Sequence, residues 1–474
     1  MKNLKTKAQT QNDILMTEGN PYKKILFFMI PVFLGGLFQQ LYNTVDALIV
    51  GNFVGAEALG AVSSTGPLVY IVIGFFNGFA IGAGIVIARH IGARDDVRTS
   101  EAVHTDIAMG LIFSVCMSVG GAFAAGPLLK LMQVPDDAYA YANTYLTIYY
   151  AGSFAVILYN IFMGILQAAG DSRRPLYYLM LSSLVNVVLD LLFIGVFDFG
   201  VGGAATATVI SQSISALLAF RRLCRYEGSI RVNIKKIRIK KEEARKIVFY
   251  GFPTAMQVCV IDFSNTLIQS YVNSFGSLAM AGIGAYTKLE GFSFLPINAF
   301  SMALSTFTSQ NLGAGKYDRM RKGMVFCILT GMTITEITAA FLYFFAPQLL
   351  GLFTDDPQAI TYGLYRAHIC AWFTFLMAFS HLASAGMRGI GKPMVPMVVM
   401  LVFWCAVRVA VLFTIGQVVH EITLVCWIYP ITWGLSTIVY VIYGGSLIKH
   451  GALRGPDEKP AQNQKLSQAD ARTE

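Results

Sequence analysis

Acidic and amide side chains interrupt stretches of this sequence that are otherwise apolar. Asp46 lies near the end of the apolar run 23–51, and Asp190 lies in a second such run. Asn186 precedes Asp190 by four residues, so on a helix both side chains lie on one face. A carboxylate and an amide oxygen on one face begin an oxygen cage for a hard cation. Together with Thr208 in the next run, they predict a site for a proton or a metal cation such as Na⁺.

Each of these residues also has a structural interpretation. Asp46 is about one helical turn from the end of its run, where a carboxylate can reach the interface or cap a neighbouring helix. The Asp190 group can join two helices through polar contacts, and the small-residue run Gly202-Gly-Ala-Ala-Thr-Ala-Thr is typical of close helix packing. A charge in the hydrocarbon of a membrane costs about 2.5–3.5 kcal/mol, which favours the functional interpretation.

The second half of the chain has its own polar residues within apolar runs. They are Asp262, Lys288, Glu290, Glu336, His381 and Arg408. Lys288 and Glu290 are two apart and cannot face each other on a helix, so each needs another partner. We expect Asp262 to pair with Lys288 and Glu336 to pair with Arg408. Asp262 and Glu290 are candidates for a cavity lining, with structural ion pairing as the alternative.

A substrate cavity would need apolar and polar side chains together. The candidates are Gln39, Asn43, Met256, Asp262, Lys288, Glu290 and Phe292. Met and Phe side chains adapt to ligands of different shape, although in apolar helices they more often pack or contact lipid.

The composition excludes a soluble domain. The 474 residues are 55% hydrophobic and 13% charged, and the mean hydropathy is +0.57, whereas soluble domains carry about a quarter charged residues. The net charge of +9 comes from short loops, so we expect no nucleic acid partner. The seven cysteines have no metal-ligand spacing.

Motifs of nucleotide binding, metal catalysis and nucleophilic catalysis are absent from the sequence. We therefore expect no enzyme and no cofactor, with energy supplied by an ion gradient or by the substrate.

Apolar runs bounded by charged or turn-forming clusters predict twelve membrane spans. Their bounds are 23–50, 61–88, 103–130, 141–167, 175–197, 201–224, 246–272, 281–310, 323–350, 362–387, 393–416 and 421–447.

The loops predict the orientation of the spans. Alternate loops are rich in Arg and Lys, the longest being 221–246, while the others carry acidic residues. Because basic loops face the cytoplasm, both termini are predicted to be cytoplasmic, in a multi-pass protein of the plasma (inner) membrane. No cleavable signal is expected, since the first twenty residues are polar.

The two halves of the chain repeat each other. A shift of 222 positions places Pro31 on Pro253 and Asn43-Thr44 on Asn265-Thr266. Six spans in each half make this a parallel repeat, in which ion and substrate sites lie in or between the halves.

The domain prediction follows from the repeat and the loops. It gives a cytoplasmic arm (1–22), an N-lobe (23–224), a basic linker (225–245), a C-lobe (246–447) and a polar cytoplasmic tail (448–474).

The run from Pro31 through Leu41-Tyr-Asn-Thr-Val-Asp46 to Val54-Gly-Ala-Glu-Ala-Leu-Gly60 resembles the first-span signature of the multidrug and toxic compound extrusion (MATE) family. Gly92-Ala93, Gly170-Asp171 and Gly313-Ala-Gly-Lys316 are similar to that family's loop motifs. The resemblance covers about residues 20–447. It implies an all-helical membrane protein in which twelve helices form two six-helix bundles arranged as a V.

The resemblance also implies a function. It implies a secondary active transporter that exports amphipathic organic cations and drugs in exchange for H⁺ or Na⁺. The sequence is similar to the subgroup with a cation site in the N-lobe at Asp46, Asn186, Asp190 and Thr208, with Ala204 offering a backbone oxygen, and Pro31 is the expected hinge. We expect a monomer in the lipid bilayer. The other bacterial subgroup has an acidic residue midway along span 10, and none lies near Met377.

Two alternatives stay open. One is a flippase for lipid-linked saccharides of the same superfamily, which would need a more cationic cavity. The other is a membrane-embedded enzyme or a receptor.

Overall fold

The structure is a computed structural model that describes residues 15–54, 56–132, 134–451 and 453–454. Within these ranges the chain is helical, with no strand. Most of the predicted N-terminal arm (1–14) and of the predicted tail (455–474) lies outside the described residues.

Twelve helices or helix pairs, α1 to α12, cover the twelve predicted spans. They are α1 Pro21–Phe53, α2 Ala56–Gly92, α3 Asp96–Leu131, α4 Asp136–Ala151 with Ser153–Ala168, α5 Arg173–Asp190 with Leu191–Val196, α6 Gly200–Cys224, α7 Lys241–Asn273, α8 Ser277–Gly313, α9 Tyr317–Phe344, α10 Pro357–Cys370 with Thr374–Gly389, α11 Met394–Val399 with Met400–Ala406 and Val407–Val418, and α12 Ile422–Lys449.

Ten of these helices are long and apolar enough to cross a membrane by themselves, among the residues described. Counted as one span, α4, whose two parts meet at an angle of 47°, brings the number to eleven. The bend is at Gly152, where a Cβ atom would lie 2.2 Å from the Val209 side chain on α6. Helix α8 is 37 residues long, but its polar side chains make it less apolar than the other helices, so it is not among these spans. The chain is therefore a multi-pass membrane protein.

By its internal contacts the chain divides into two compact units. The first comprises Leu26–Ile91 and Asp95–Leu267 in its described helical part, and the second comprises Met16–Ile25, Gly92–Arg94 and the chain from Ile268 onward. This boundary falls inside α7 rather than in the predicted linker. The lobe boundaries drawn from the repeat stay a prediction.

The first unit includes the start of α7 because α2 packs against it with almost no side chain between. A Cβ atom on Gly82 would lie 2.3 Å from the Gly251 Cα atom, and one on Gly78 would lie 2.7 Å from the Ala255 Cα atom. Only glycine allows two helix backbones to approach this closely.

The basic loop between α6 and α7 also packs on the first unit. Ile230 and Val232 are buried in a hydrophobic cluster with residues of α2, α3 and α4. The backbone N–H of Lys240 donates to Thr105 Oγ1 of α3 at 3.1 Å. The predicted linker is therefore a packed segment.

In the second unit, the segment that precedes α1 is held by polar side chains of α8 and α9. The Met16 N–H donates to Gln310 Oε1 at 2.9 Å. The Arg319 guanidinium donates to the carbonyl oxygens of Met16 at 2.9 Å and Glu18 at 3.0 Å. Met16 is 1% exposed. One arginine thus satisfies several backbone acceptors of an irregular segment.

Replacing this arginine should release the segment. In Arg319→Ala, the amides of residues 16–20 are expected to exchange hydrogen about tenfold faster or more, since one charge-assisted bond contributes about 1.5–3 kcal/mol. Hydrogen exchange with mass spectrometry measures this. The exposed Lys322 on the same helix offers a control, and equal exchange in Arg319→Ala and Lys322→Ala would refute the anchoring role.

Candidate functional site

Two carboxyl groups meet inside the first unit. Asp46 of α1 and Asp190 of α5 lie within hydrogen-bonding distance of each other. Asp190 is fully buried, and the Oδ1 atom of each residue has no hydrogen-bond partner among the described residues. Two ionised carboxylates repel strongly at this distance, so this acidic pair, as we call it below, is stable only with a proton or a cation at it.

An amide and a hydroxyl complete the surroundings of the acidic pair. With its nitrogen facing Asp190, the Asn186 amide donates to Asp190 Oδ2 at 3.0 Å and accepts from the Thr208 N–H at 3.2 Å. We adopt this orientation because both amide atoms then have partners. In the opposite orientation of the amide, its nitrogen donates to Thr208 Oγ1 at 3.4 Å. Thr208 Oγ1 donates to the Ala204 carbonyl oxygen at 3.0 Å. All five residues of the predicted cation site are thus brought together.

Tyrosines line the same region, and the sequence analysis did not single them out. The Tyr42 hydroxyl lies within hydrogen-bonding distance of Thr208. Tyr145 is buried, lies close enough to Asp46 to interact electrostatically, and stacks on Tyr149 with ring centroids 6.2 Å apart. One indication of this was present in the sequence, the spacing of Tyr42 and Asp46. Because they are four residues apart, on a helix their side chains lie on the same face.

A change of helix type marks the position of Asp190. The α-helical part of α5 ends at this residue, and the π-helical turn Leu191–Val196 follows. Short π-helical segments are rare and often occur at functional sites, because they re-aim side chains and free backbone groups.

The oxygen set fits a hard cation better than a transition metal. Among the described residues, no group of three or more His, Cys, Asp or Glu side chains is placed to hold a metal ion. Carboxylate and hydroxyl oxygens are the ligands that Na⁺ and similar hard cations take. In the adopted orientation the Asn186 amide oxygen is not part of this set, because it accepts from the Thr208 N–H. The unpartnered carboxylate oxygens are equally able to hold a proton.

The sequence model of the MatE family matches residues 31–192 and 253–414, which is most of the chain and both halves of the repeat. The chain belongs to the MatE family.

Relatives and solved structures agree with this assignment. The probable multidrug resistance protein YoeA of Bacillus subtilis is 28% identical over 436 residues, covering 89% of this chain and 93% of that protein. A MATE protein crystallised with MaL6 matches with a TM-score of 0.86 at 24% identity, over 93% of this chain and 99% of the other. A MOP superfamily transporter from Pyrococcus furiosus matches with a TM-score of 0.85 at 26% identity, over 93% and 98%. This MatE protein is therefore a membrane transporter and not an enzyme, and its predicted fold is confirmed.

Within the second unit, several of the described polar residues have partners that we did not predict. Glu290 accepts from Arg366 Nη2 at 2.7 Å in a buried ion pair. This contact favours structural ion pairing, the alternative to a cavity role for Glu290. Arg366 did not enter the sequence argument because it lies near the start of its span, where a basic residue is unremarkable.

Both predicted ion pairs involve residues that the structure engages elsewhere. The Lys288 ammonium lies 5.8 Å from the ring centroid of Phe353. Its expected pairing with Asp262 stays a prediction. Glu336 accepts from the Phe375 N–H at 2.8 Å, and Arg408 donates to Thr432 Oγ1 at 3.0 Å. Among the described residues Glu336 and Arg408 form no ion pair with each other, so their expected pairing is wrong.

The other cavity candidates differ in exposure. Gln39, Asn43 and Lys288 are exposed, whereas Met256 and Phe292 are partly buried. The Asp262 carboxyl group lies against α2, since a Cβ atom on Gly74 would be 3.2 Å from Asp262 Oδ2. Their contact with a substrate stays a prediction.

Breaking the buried ion pair should destabilise this MatE protein. Arg366→Gln leaves the buried Glu290 carboxylate without its guanidinium, at an expected cost of about 3–5 kcal/mol. The double variant Glu290→Gln/Arg366→Met removes both charges and should recover most of that loss. The midpoint of thermal unfolding in detergent measures both effects, with the exposed Asp318→Asn as control. A double variant no more stable than Arg366→Gln would contradict the pairing.

Proposed function

We propose that this MatE protein exports amphipathic organic cations in exchange for H⁺ or Na⁺, and that the acidic pair is the coupling site. The observation that carries the proposal is the contact between two carboxyl groups on different helices, the half-buried Asp46 of α1 and the buried Asp190 of α5. Such a pair changes charge when a proton or a cation binds, and a charge change inside a membrane protein has a large energetic effect.

The cycle follows from linkage. With the pair ionised, the site attracts an organic cation. Binding of H⁺ or Na⁺ from outside neutralises the pair and weakens that attraction, so the organic cation leaves outward. The ion drives export only by its different affinity for the inward-facing and outward-facing states.

Pro31 is the proposed hinge. It lies within the helix α1, on the same element as Asp46. Proline cannot donate the hydrogen bond that an inner residue gives to the carbonyl four positions earlier, here that of Phe27. This leaves α1 with a weak point between its start and the acidic pair, where a bend can respond to ion binding.

The substrate class is supported by the relatives. The related YoeA of B. subtilis is described as a probable multidrug resistance protein. Tyrosine rings near a carboxylate pair attract organic cations by cation–π and charge interactions. The proposed substrate contacts are Gln39, Asn43, Met256, Asp262, Lys288 and Phe292.

The proposed setting is the plasma membrane of a bacterium, with a monomer whose termini both face the cytoplasm. The lobes are proposed at 23–224 and 246–447, with the basic segment 225–245 between them. The basic loops support this orientation.

Dye export under separate gradients tests the function. Energy-depleted cells of an efflux-deficient host, loaded with ethidium, receive either a pH gradient or a sodium gradient. Export driven by one gradient, relative to cells without the protein, identifies the coupling ion. No export under either gradient would refute the proposal and favour the flippase for lipid-linked saccharides.

A further inference from the structure

A second group of buried charges lies in the second unit. The Arg366 and Arg408 guanidinium carbons lie 4.4 Å and 4.6 Å from the centroid of the Tyr429 ring. Arg366 also pairs with Glu290 at 2.7 Å. All four side chains are at most 7% exposed. We call Glu290, Arg366, Arg408, Tyr429 and Trp433 the basic cluster.

The charges in the basic cluster do not balance. It contains two guanidinium groups, which stay charged in proteins, and one carboxylate. Glu290 acts electrostatically on both arginines. Burying an excess positive charge is costly unless an anion or several polar groups compensate it. The cluster therefore attracts negative charge.

Two unsatisfied groups in the cluster are hydrogen-bond donors. Arg366 Nε and Trp433 Nε1 have no hydrogen-bond partner within the described part of the chain. Trp433 is 1% exposed, and its ring lies 5.9 Å from that of Tyr429. Both groups carry N–H and neither can accept a hydrogen bond, so only an acceptor such as an anion satisfies them.

The repeat gives an independent argument. Asp190 lies fifteen residues after Pro175 near the start of α5, and Arg408 lies fifteen residues after Pro393 at the start of α11. Both helices have a π-helical turn next to this position. In α5 the turn Leu191–Val196 follows Asp190, and in α11 the turn Met400–Ala406 precedes Arg408. The duplicated half thus has a base where the first half has an acid.

The helix that follows repeats the same arrangement. In α6, Thr208 Oγ1 donates to the Ala204 carbonyl oxygen at 3.0 Å, and in α12, Thr432 Oγ1 donates to the Ile428 carbonyl oxygen at 2.9 Å. Thr208 contacts Asn186 in the site of the acidic pair, whereas Thr432 accepts from Arg408 Nε at 3.0 Å. The local framework is the same and the sign of the charge is reversed.

We propose that the basic cluster binds a small anion. The anion is either an inorganic ion such as chloride or a carboxylate group of a transported compound, held by the guanidinium groups and the indole N–H. The Arg408 guanidinium carbon also lies 4.8 Å from the ring centroid of Trp404. The alternative is therefore a structural role, in which the faces of Tyr429 and Trp404 alone stabilise the arginines through cation–π contacts.

A wild-type experiment tests binding directly. Purified full-length protein is titrated with sodium chloride against sodium gluconate at constant sodium, pH and ionic strength, and the unfolding midpoint is measured. The proposal predicts a saturable rise in the midpoint with chloride. Bromide should give an anomalous-scattering peak within 4.5 Å of an arginine of the cluster in crystals; no rise and no such peak would overturn the proposal.

Two variants should change the chloride response in opposite directions. Arg408→Gln removes one guanidinium and is expected to weaken chloride binding about tenfold or more, the effect of losing one charge-assisted contact. Glu290→Gln removes the competing carboxylate and is expected to strengthen chloride binding, so that chloride rescues its thermal stability. A structural role predicts lower stability in both variants with no change in the chloride response. The exposed Lys322→Gln is the control.

A further comparison separates the two sources of the anion. Export of a zwitterionic rhodamine is compared with export of its methyl ester, in wild type and in Arg408→Gln. Faster export of the zwitterion that depends on Arg408 indicates a substrate carboxylate, and equal export with a chloride response indicates an inorganic ion. Because sodium and pH are constant in the titration, its outcome does not depend on whether the acidic pair couples transport.

Discussion

Asp46→Asn and Asp190→Asn are each expected to reduce gradient-driven dye export to the level of cells without the protein. Each substitution keeps the shape of the side chain and removes one of the two charges that a proton or cation neutralises. Without that change in charge, ion binding no longer distinguishes the two states of the transporter. Ethidium export, normalised to the amount of protein in the membrane, measures the effect.

The control is Asp355→Asn, at an exposed aspartate in the loop before α10. It carries the same chemical change outside the site and should export at the wild-type rate. Normal folding of the two site variants is checked by their unfolding midpoints. Full export by both Asp46→Asn and Asp190→Asn would refute the acidic pair as the coupling site.

Gly92→Ala is expected to destabilise the second unit by about 1–3 kcal/mol or more, because it overpacks a helix contact. A Cβ atom at residue 92 would lie 1.9 Å from the carbonyl oxygen of Gln310 on α8, and a backbone atom cannot rotate out of the way. Thermal unfolding in detergent measures the loss.

Gly120→Ala in α3 is the matched control, since a Cβ atom there meets nothing within 4 Å. Alanine favours a helix more than glycine does, so this variant should be as stable as wild type or slightly more stable. Equal stability of Gly92→Ala and Gly120→Ala would show that the close contact of Gly92 with Gln310 contributes nothing to stability. The contact also gives a physical reason for the Gly92-Ala93 motif.

The helices, and the grouping of Asn186 with Asp190 in the candidate site, could be predicted from the sequence because their determinants are local. Apolar runs and the polar clusters between them gave the spans. The spacing of Asn186 and Asp190 placed both on one helix face. The grouping with Asp46 on another helix came from the family resemblance, since no local rule brings α1 to α5.

The ion pairs of the second half could not be predicted because partners are chosen by tertiary packing. Helix geometry correctly predicted that Lys288 and Glu290 do not face each other. Their actual contacts are Phe353 and Arg366, which lie far away in the sequence, so no spacing rule indicates them. Glu336 accepts a hydrogen bond from the backbone N–H of Phe375. Every residue except proline has a backbone N–H, so the sequence does not indicate which of them a carboxylate will bind.

Backbone detail was also beyond the sequence. The π-helical turn after Asp190 depends on how α5 packs, and its residues Leu191–Val196 read as ordinary apolar sequence. The burial of Ile230 and Val232 in a loop rich in basic residues was missed because charge dominated the interpretation of that loop.

The most direct test of the coupling is the release of the ion by the substrate. Purified protein in weakly buffered solution is mixed with a transported organic cation, and released protons are followed with a pH electrode and released sodium with radioactive sodium. Linkage is reciprocal, so a substrate whose binding the ion weakens must displace the ion. We predict release from wild type and none from the double variant Asp46→Asn/Asp190→Asn. Equal release from both proteins would contradict coupling at the acidic pair.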